Sequence, residues 1–191
     1  MSMTKRFFEL APDMLLPGRC SLGIPTDLGG REVEDPWVFK RGRRIENPGR
    51  LRIPVDVPGR TFDFTLAGIS TPVVHVRVAT LLTELAPEDV QVIPVEIPGQ
   101  PEQYSILVAT RLIECIDDAA SREVERWTAE DGRPEKVGQY RDVDGLRIDP
   151  SKVGDAKLFR TWGWSVALIV SEDLKLALEG LGVTGMRFTE V

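Results

Sequence analysis

Proline and glycine cut this chain into short pieces, and nothing else in it constrains the fold as strongly. Of its 191 residues, 14 are proline and 17 are glycine. In the first sixty they fall at Pro12, Pro17-Gly18, Pro25, Gly29-Gly30, Pro36, Pro48-Gly49 and Pro58-Gly59. Proline lacks a backbone donor and glycine gives up the most chain entropy on ordering, so neither suits the interior of a long helix. The runs left between them, Arg6–Leu10, Trp37–Lys40 and Leu51–Val55, read as short edge strands in a loop-rich region.

From Thr61 onward the runs lengthen. Thr61–Gly68 reads as a strand, with Phe62 and Phe64 alternating with Asp63 and Thr65. The valines from Val73 to Val78 fit a period of two, yet Val78, Leu81, Leu82 and Leu85 fit a helical stripe. The spacing therefore predicts a strand ending near Val74 and a helix from about His75 to Ala86, closed by Pro87. Val90–Ile97 and Tyr104–Ala109 form a hairpin around Pro98-Gly-Gln-Pro101. Arg111–Ile116 is apolar enough to run into the core. Asp117–Glu135 is charged and solvent-facing, with helical character around Ala119–Trp127 that Gly132-Arg-Pro134 stops. Strands follow at Gly145–Ile148, Lys157–Thr161 and Trp164–Val170. The clearest helix is Ser171–Leu181. Ser171 stands at its cap, Glu172 and Asp173 in its first turn, and Leu174, Ala177, Leu178 and Leu181 on one stripe; Gly182 lies just beyond. Gly185–Thr189 is a last strand. Strands joined by short turns outnumber helices, and no βαβ alternation runs along the chain. The fold class is α+β, a mostly antiparallel sheet with a few helices. Residues 1–191 form a single domain, loop-rich over 1–60 with its core over 61–191.

The residues offer little to chemistry. At 42% hydrophobic and 28% charged the composition is that of a folded globular chain. The longest apolar run, Val166–Val170, is far short of the ~20 residues of a membrane span, and the first ten residues lack the apolar stretch of a secretory signal. A cytoplasmic protein with no membrane partner is expected. Cys20 and Cys115 read as reduced, buried thiols, and with His75 as the one histidine they make no zinc site. His75 reads as a residue at a helix start. Asp117-Asp118, Glu130-Asp131 and Asp142-Val-Asp144 are carboxylate pairs, but adjacent carboxylates point apart, and no calcium-loop spacing is present. Lys40-Arg-Gly-Arg-Arg44, with Arg50 and Arg52, is basic, yet the net charge of −6 argues against nucleic acid. No glycine falls in a phosphate-binding pattern. The expectation is no catalytic residue, no metal and no cofactor.

Charge is unevenly divided. Residues 1–60 hold eleven Lys and Arg against eight Asp and Glu, whereas residues 61–191 hold thirteen against twenty-two. Several stretches of the second part are distinctive: Phe62-Asp-Phe-Thr-Leu-Ala-Gly68, Asp89-Val-Gln-Val-Ile-Pro-Val95, Cys115-Ile-Asp117 and Arg126-Trp-Thr-Ala-Glu-Asp-Gly-Arg-Pro134. To these add Gly145-Leu-Arg-Ile-Asp-Pro150, Phe159-Arg-Thr-Trp-Gly-Trp164 and Val183-Thr-Gly-Met-Arg-Phe188. In these stretches the chain, over about residues 50–191, resembles immunity family eleven of the bacterial polymorphic-toxin systems, a family of myxobacteria and other bacteria. That resemblance implies a non-enzymatic protein that shields its producer by binding a cognate toxin. An acidic surface would suit a basic toxin. The stretch Glu114–Asp149 carries eleven acids against six bases. Asp117, Asp118, Glu130 and Asp131 are therefore expected at the contact, with Trp127, Tyr140 and Arg133 as anchors. An uncharacterised enzyme would instead need a cleft with convergent titratable groups, and a self-associating structural or regulatory protein an apolar self-interface.

Overall fold

A computed structural model describes residues 5–191 of the chain. The first half contains strands β1 (Phe7–Pro12), β2 (Ser21–Leu22), β3 (Thr26–Asp27), β4 (Leu51–Arg52), β5 (Val55–Val57), β6 (Phe64–Ala67) and β7 (Thr71–His75). Helix α1 (Val76–Leu85) and strands β8 (Val90–Glu96), β9 (Tyr104–Ala109) and β10 (Leu112–Ile113) follow. The remainder is β11 (Glu123–Arg126), β12 (Tyr140–Asp144), β13 (Leu158–Thr161), β14 (Trp164–Ser171), α2 (Glu172–Gly180) and β15 (Met186–Glu190).

Three sheets result: a five-stranded sheet in the order β10-β13-β14-β1-β15, an eight-stranded sheet in the order β3-β4-β8-β9-β7-β6-β2-β5, and a two-stranded ribbon β11-β12. Pairing is antiparallel except at β10·β13, β2·β6 and β4·β8. The class is α+β and the chain one domain, as its turn-separated strands imply.

Both large sheets bury both faces, which explains their unbroken apolar runs. Along β9 the side chains alternate between two clusters: Leu107 and Ala109 join one, Tyr104, Ile106 and Val108 the other. The first cluster fills the space between the large sheets. Phe8, Leu10, Leu158 and Leu168 of the smaller sheet meet Phe64, Val74 and Leu107 of the larger, and α1 and α2 contribute Leu82, Leu174 and Leu178. The second backs the eight-stranded sheet with Cys20, Phe39 and Ile53. The third backs the five-stranded sheet, where Phe7, Phe159 and Ile169 pack with Cys115, Tyr140, Leu146 and Ile148. Both cysteines are free and buried.

Asp63 braces the centre. The fork of Arg77 donates to both of its oxygens, and the Thr184 N–H and hydroxyl donate at 2.7 and 2.8 Å. Burial alone would raise this carboxyl; Arg77 and Thr184 more than offset it and hold the pKa at about 2. Arg77 also donates to the carbonyls of Leu181 and Gly182, closing the C-terminal end of α2. Gly182 there takes the left-handed conformation at φ 67°.

Several boundaries differ from the sequence reading. Trp37–Lys40 is not a strand: Pro36–Lys40 is a 3-10 turn, opened by the Asp35 carboxylate accepting from the Trp37 N–H. Leu51–Val55 is split at Pro54, which has no N–H for the ladder. β1 is no edge strand; it lies between β14 and β15. The helical character around Ala119–Trp127 gives way to strand β11, because Asp117 ties up the Ala119 and Ala120 N–H groups and β12 supplies the pairing partner. Gly145–Ile148 lies beyond the end of β12 and contributes only an isolated bridge, Ile148 to Ile116. Ser171 stands at the cap position of α2, but its hydroxyl donates to the Asp173 carboxylate instead of capping the backbone.

Candidate functional site

The ribbon β11-β12 carries most of the residues singled out from the sequence, and it has two chemically distinct sides. Its core-facing valines, Val124 and Val143, pair across the strands and rest against the third cluster with Trp164. Strand alternation then turns Glu123, Glu125, Asp142 and Asp144 to the other face. Register places Glu123 opposite Asp144 and Glu125 opposite Asp142. Like charges directly opposed across a ladder repel. Arg122 pairs with Asp144, and Arg141 reaches Glu125 at 3.4 Å; among the described residues, Glu123 and Asp142 have no such partner.

The four acids expected at a contact are placed differently from one another. Asp117 accepts from the Ala119 and Ala120 N–H groups at 3.0 Å, shaping the turn into β11. Asp118 accepts from the Tyr140 hydroxyl and from Arg126, and the Tyr140 bond chiefly lowers its pKa. Asp131 accepts from the Thr128 N–H and hydroxyl at 2.7 and 2.9 Å, which lowers its pKa and fixes the 3-10 turn Ala129–Asp131. Glu130 stands exposed on that turn. Three of the four thus brace the ribbon internally, and Glu130 alone faces solvent without an ion pair among the described residues.

The anchors gather elsewhere. Trp127, Arg133 and Tyr140 line a groove of about 500 Å³ at the side of the ribbon that meets Trp164 and the turn Pro36–Lys40. Its cations are Lys40, Arg41, Arg133, Lys136 and Arg141; Trp37, Trp127, Tyr140 and Trp164 supply the aromatic surface, and no carboxylate lines it among the described residues. Lys136 and Arg141 lie over the Trp127 ring at 5.1 and 5.4 Å, and Arg126 over Tyr140 at 4.2 Å. Gly163 is required beside it: φ is 77°, and a Cβ there would meet the Tyr140 ring at 3.0 Å.

The sequence thus marks these residues but not the ribbon that carries them, since it reads helix over β11 and no strand over β12. The signal was present in Glu123-Val-Glu125 and Asp142-Val-Asp144, which alternate at a period of two. Lys40 reads in the sequence only as part of the basic cluster Lys40–Arg44, which the net charge of −6 sets aside.

His75 is the cap of α1, its Nδ1 accepting from the Arg77 N–H at 3.2 Å, with Tyr104 edge-on to its ring. Among the described residues no group of three His, Cys, Asp or Glu side chains gathers as metal ligands, and no helix is long and apolar enough to cross a membrane. Part of the basic cluster is paired internally, Arg41 with Asp35 and both Arg50 and Arg52 with Glu96.

No curated protein matches the chain. A family match covers residues 35–191; it begins before the stretch near residue 50 where the resemblance was read, and so takes in Trp37 and Lys40. On that match the chain belongs to the Immunity protein family (Imm11).

Proposed function

We propose that this protein works in the cytoplasm as a non-enzymatic immunity protein, binding a cognate toxin and blocking it by occlusion. Membership of the immunity family is the observation that carries this reading. The contact we assign is the outer face of the ribbon, where Glu123, Glu125, Asp142 and Asp144 stand as opposed carboxylates. Glu130, exposed on the turn beyond β11, extends it, while Asp117, Asp118 and Asp131 hold the ribbon in shape. A basic surface on the toxin would relieve the repulsion that the ribbon bears alone, so the charges that cost the free protein stability would favour the complex.

Co-expression with the protein encoded by the adjacent gene tests the reading. Rescue of growth and a stable complex are expected, with association slowing as salt shortens the Debye length to ~10 Å at 0.1 M. Absence of both rescue and complex would sink the immunity role. The triple variant Glu123→Lys, Glu125→Lys, Asp142→Lys should bind at least ten-fold more weakly. Unchanged affinity in that variant, folded by circular dichroism, would move the contact elsewhere and leave immunity standing.

A further inference from the structure

Between the two large sheets, at the end where β1 meets the turn Pro36–Lys40, lies a cleft of about 380 Å³. Two cations line it and both are buried: Arg160 is 2% exposed and Lys40 is 5% exposed. Arg160 donates once, from Nη1 to the Val166 carbonyl at 2.9 Å. Its Nε and Nη2 are shut from solvent and have no acceptor. The Lys40 ammonium sits 4.3 Å from the centre of the Trp37 ring. Among the described residues, no carboxylate comes within 4.0 Å of either cation. Burial and then the charge of Arg160 pull the Lys40 pKa down to about 8.

Buried cations normally have a counter-charge, because the interior does not solvate them and like charges repel there more strongly than in water. Glu9 also lines this cleft and tempers Arg160 from a distance, but it pairs with neither cation. A water molecule could accept from the guanidinium without offsetting any charge. Apart from Ser70 the rest of the lining is apolar, and three of its members are large side chains in contact with water: Trp37 at 51% exposure, Val166 at 53% and Ile69 at 79%.

We infer that the cleft is a binding site for a small organic monocarboxylate, its two oxygens on the free Nε–Nη2 edge of Arg160 and beside Lys40, its apolar body against Trp37, Ile69 and Val166. The edge of a guanidinium presents two parallel N–H groups that match a carboxylate in geometry. One further negative charge suits two cations of which Glu9 tempers only Arg160. The volume lies in the range of small-ligand pockets. The inference does not rest on toxin binding.

The test uses the purified full-length protein with benzoate and hexanoate as probes, followed by calorimetry and by tryptophan fluorescence. Both acids should bind and change the fluorescence, while benzamide, the uncharged match of benzoate, should bind at least ten-fold more weakly. Arg160→Met should abolish binding. Lys40→Met, in a 3-10 turn outside both sheets, should weaken it at least three-fold, with an unchanged circular dichroism spectrum. The site is overturned if neither acid binds, if benzamide binds as well as benzoate, or if folded Lys40→Met binds as wild type. It is likewise overturned as a carboxylate site if inorganic phosphate binds more tightly than both acids.

Discussion

Two buried ionic sites in this protein stand in contrast. At Asp63 the donors converge: the Arg77 fork, the Thr184 N–H and the Thr184 hydroxyl meet on one carboxylate, and Arg77 directs two further N–H groups at the end of α2. At Arg160 one donor is satisfied and two are not, and the nearest buried charge is a second cation. The first site joins segments more than a hundred residues apart in the chain, so it is a brace. The second joins little beyond its own hairpin, since the Arg160 side chain in β13 bonds only Val166 of the adjoining strand β14. A satisfied buried charge holds a fold together; an unsatisfied one is tolerated where something else completes it.

The largest effect should come from breaking the brace. Asp63→Ala leaves Arg77 and the Thr184 N–H without their acceptor, and urea unfolding should show a loss of about 3 kcal/mol. The same group sets an acid limit. Its pKa is about 2 in the folded protein against 3.8 for a free aspartate, so the unfolded chain binds the proton more tightly. The stability it contributes is complete above pH 4 and drains away as pH falls toward 2. Asp63→Ala should remove that part of the acid transition; a wild-type acid profile in the variant would show that the brace is not the cause.

The open site should answer in a different pH range, because there the fold disfavours the charged form. For Lys40 the folded pKa of about 8 lies below the free value of 10.5, so again the unfolded chain holds the proton more tightly. Stability should rise between pH 8 and 10.5 by on the order of 2 kcal/mol, and Lys40→Met should flatten that rise. Arg160→Met replaces a poorly satisfied cation by an apolar chain of similar length. In the ligand-free protein it should be between neutral and about 1 kcal/mol more stable. A loss of 3 kcal/mol instead would make Arg160 a second brace and erase the contrast.

How much of this was legible in the sequence depends on the range of the forces involved. The helices and long strands were readable because their determinants are local: the stripe of Leu174 and Leu178, the run from Tyr104 to Ala109, and Gly182 at the end of α2. Asp35-Pro36 was equally local, a capping residue before a proline, and was overlooked in favour of the apolar Trp37-Val-Phe39 that follows. β11 was not readable from propensity, since its partner lies across a connection from Trp127 to Gln139 and the pairing overrides a helical composition. The cleft was illegible altogether. Lys40 and Arg160 stand 120 positions apart, and only the stacking of the two sheets brings them together. The acidic surface was legible as charge but not as geometry, because net charge does not say which carboxylates turn inward to shape a turn.

That last distinction gives the smallest effect and separates the ribbon from both buried sites. Its carboxylates are exposed, so their repulsion is screened and each opposed pair costs only about 0.2–1 kcal/mol. Glu125→Lys would set a cation opposite Asp142, but it also breaks the contact with Arg141. Glu123→Lys is cleaner, since Glu123 has no ion pair to lose among the described residues and faces Asp144 directly. The single variant should therefore be slightly more stable than wild type, by a few tenths of a kcal/mol in low salt, with the gain vanishing near 1 M salt. Amide exchange over β11 and β12 should slow in step, while exchange in β9, buried on both faces, should not change. If Glu123→Lys both stabilises the ribbon and weakens the toxin complex, the carboxylates are kept for the partner at the expense of the free fold. If it destabilises the ribbon instead, the four acids are held by contacts within the protein, and the proposed contact face loses its physical motive.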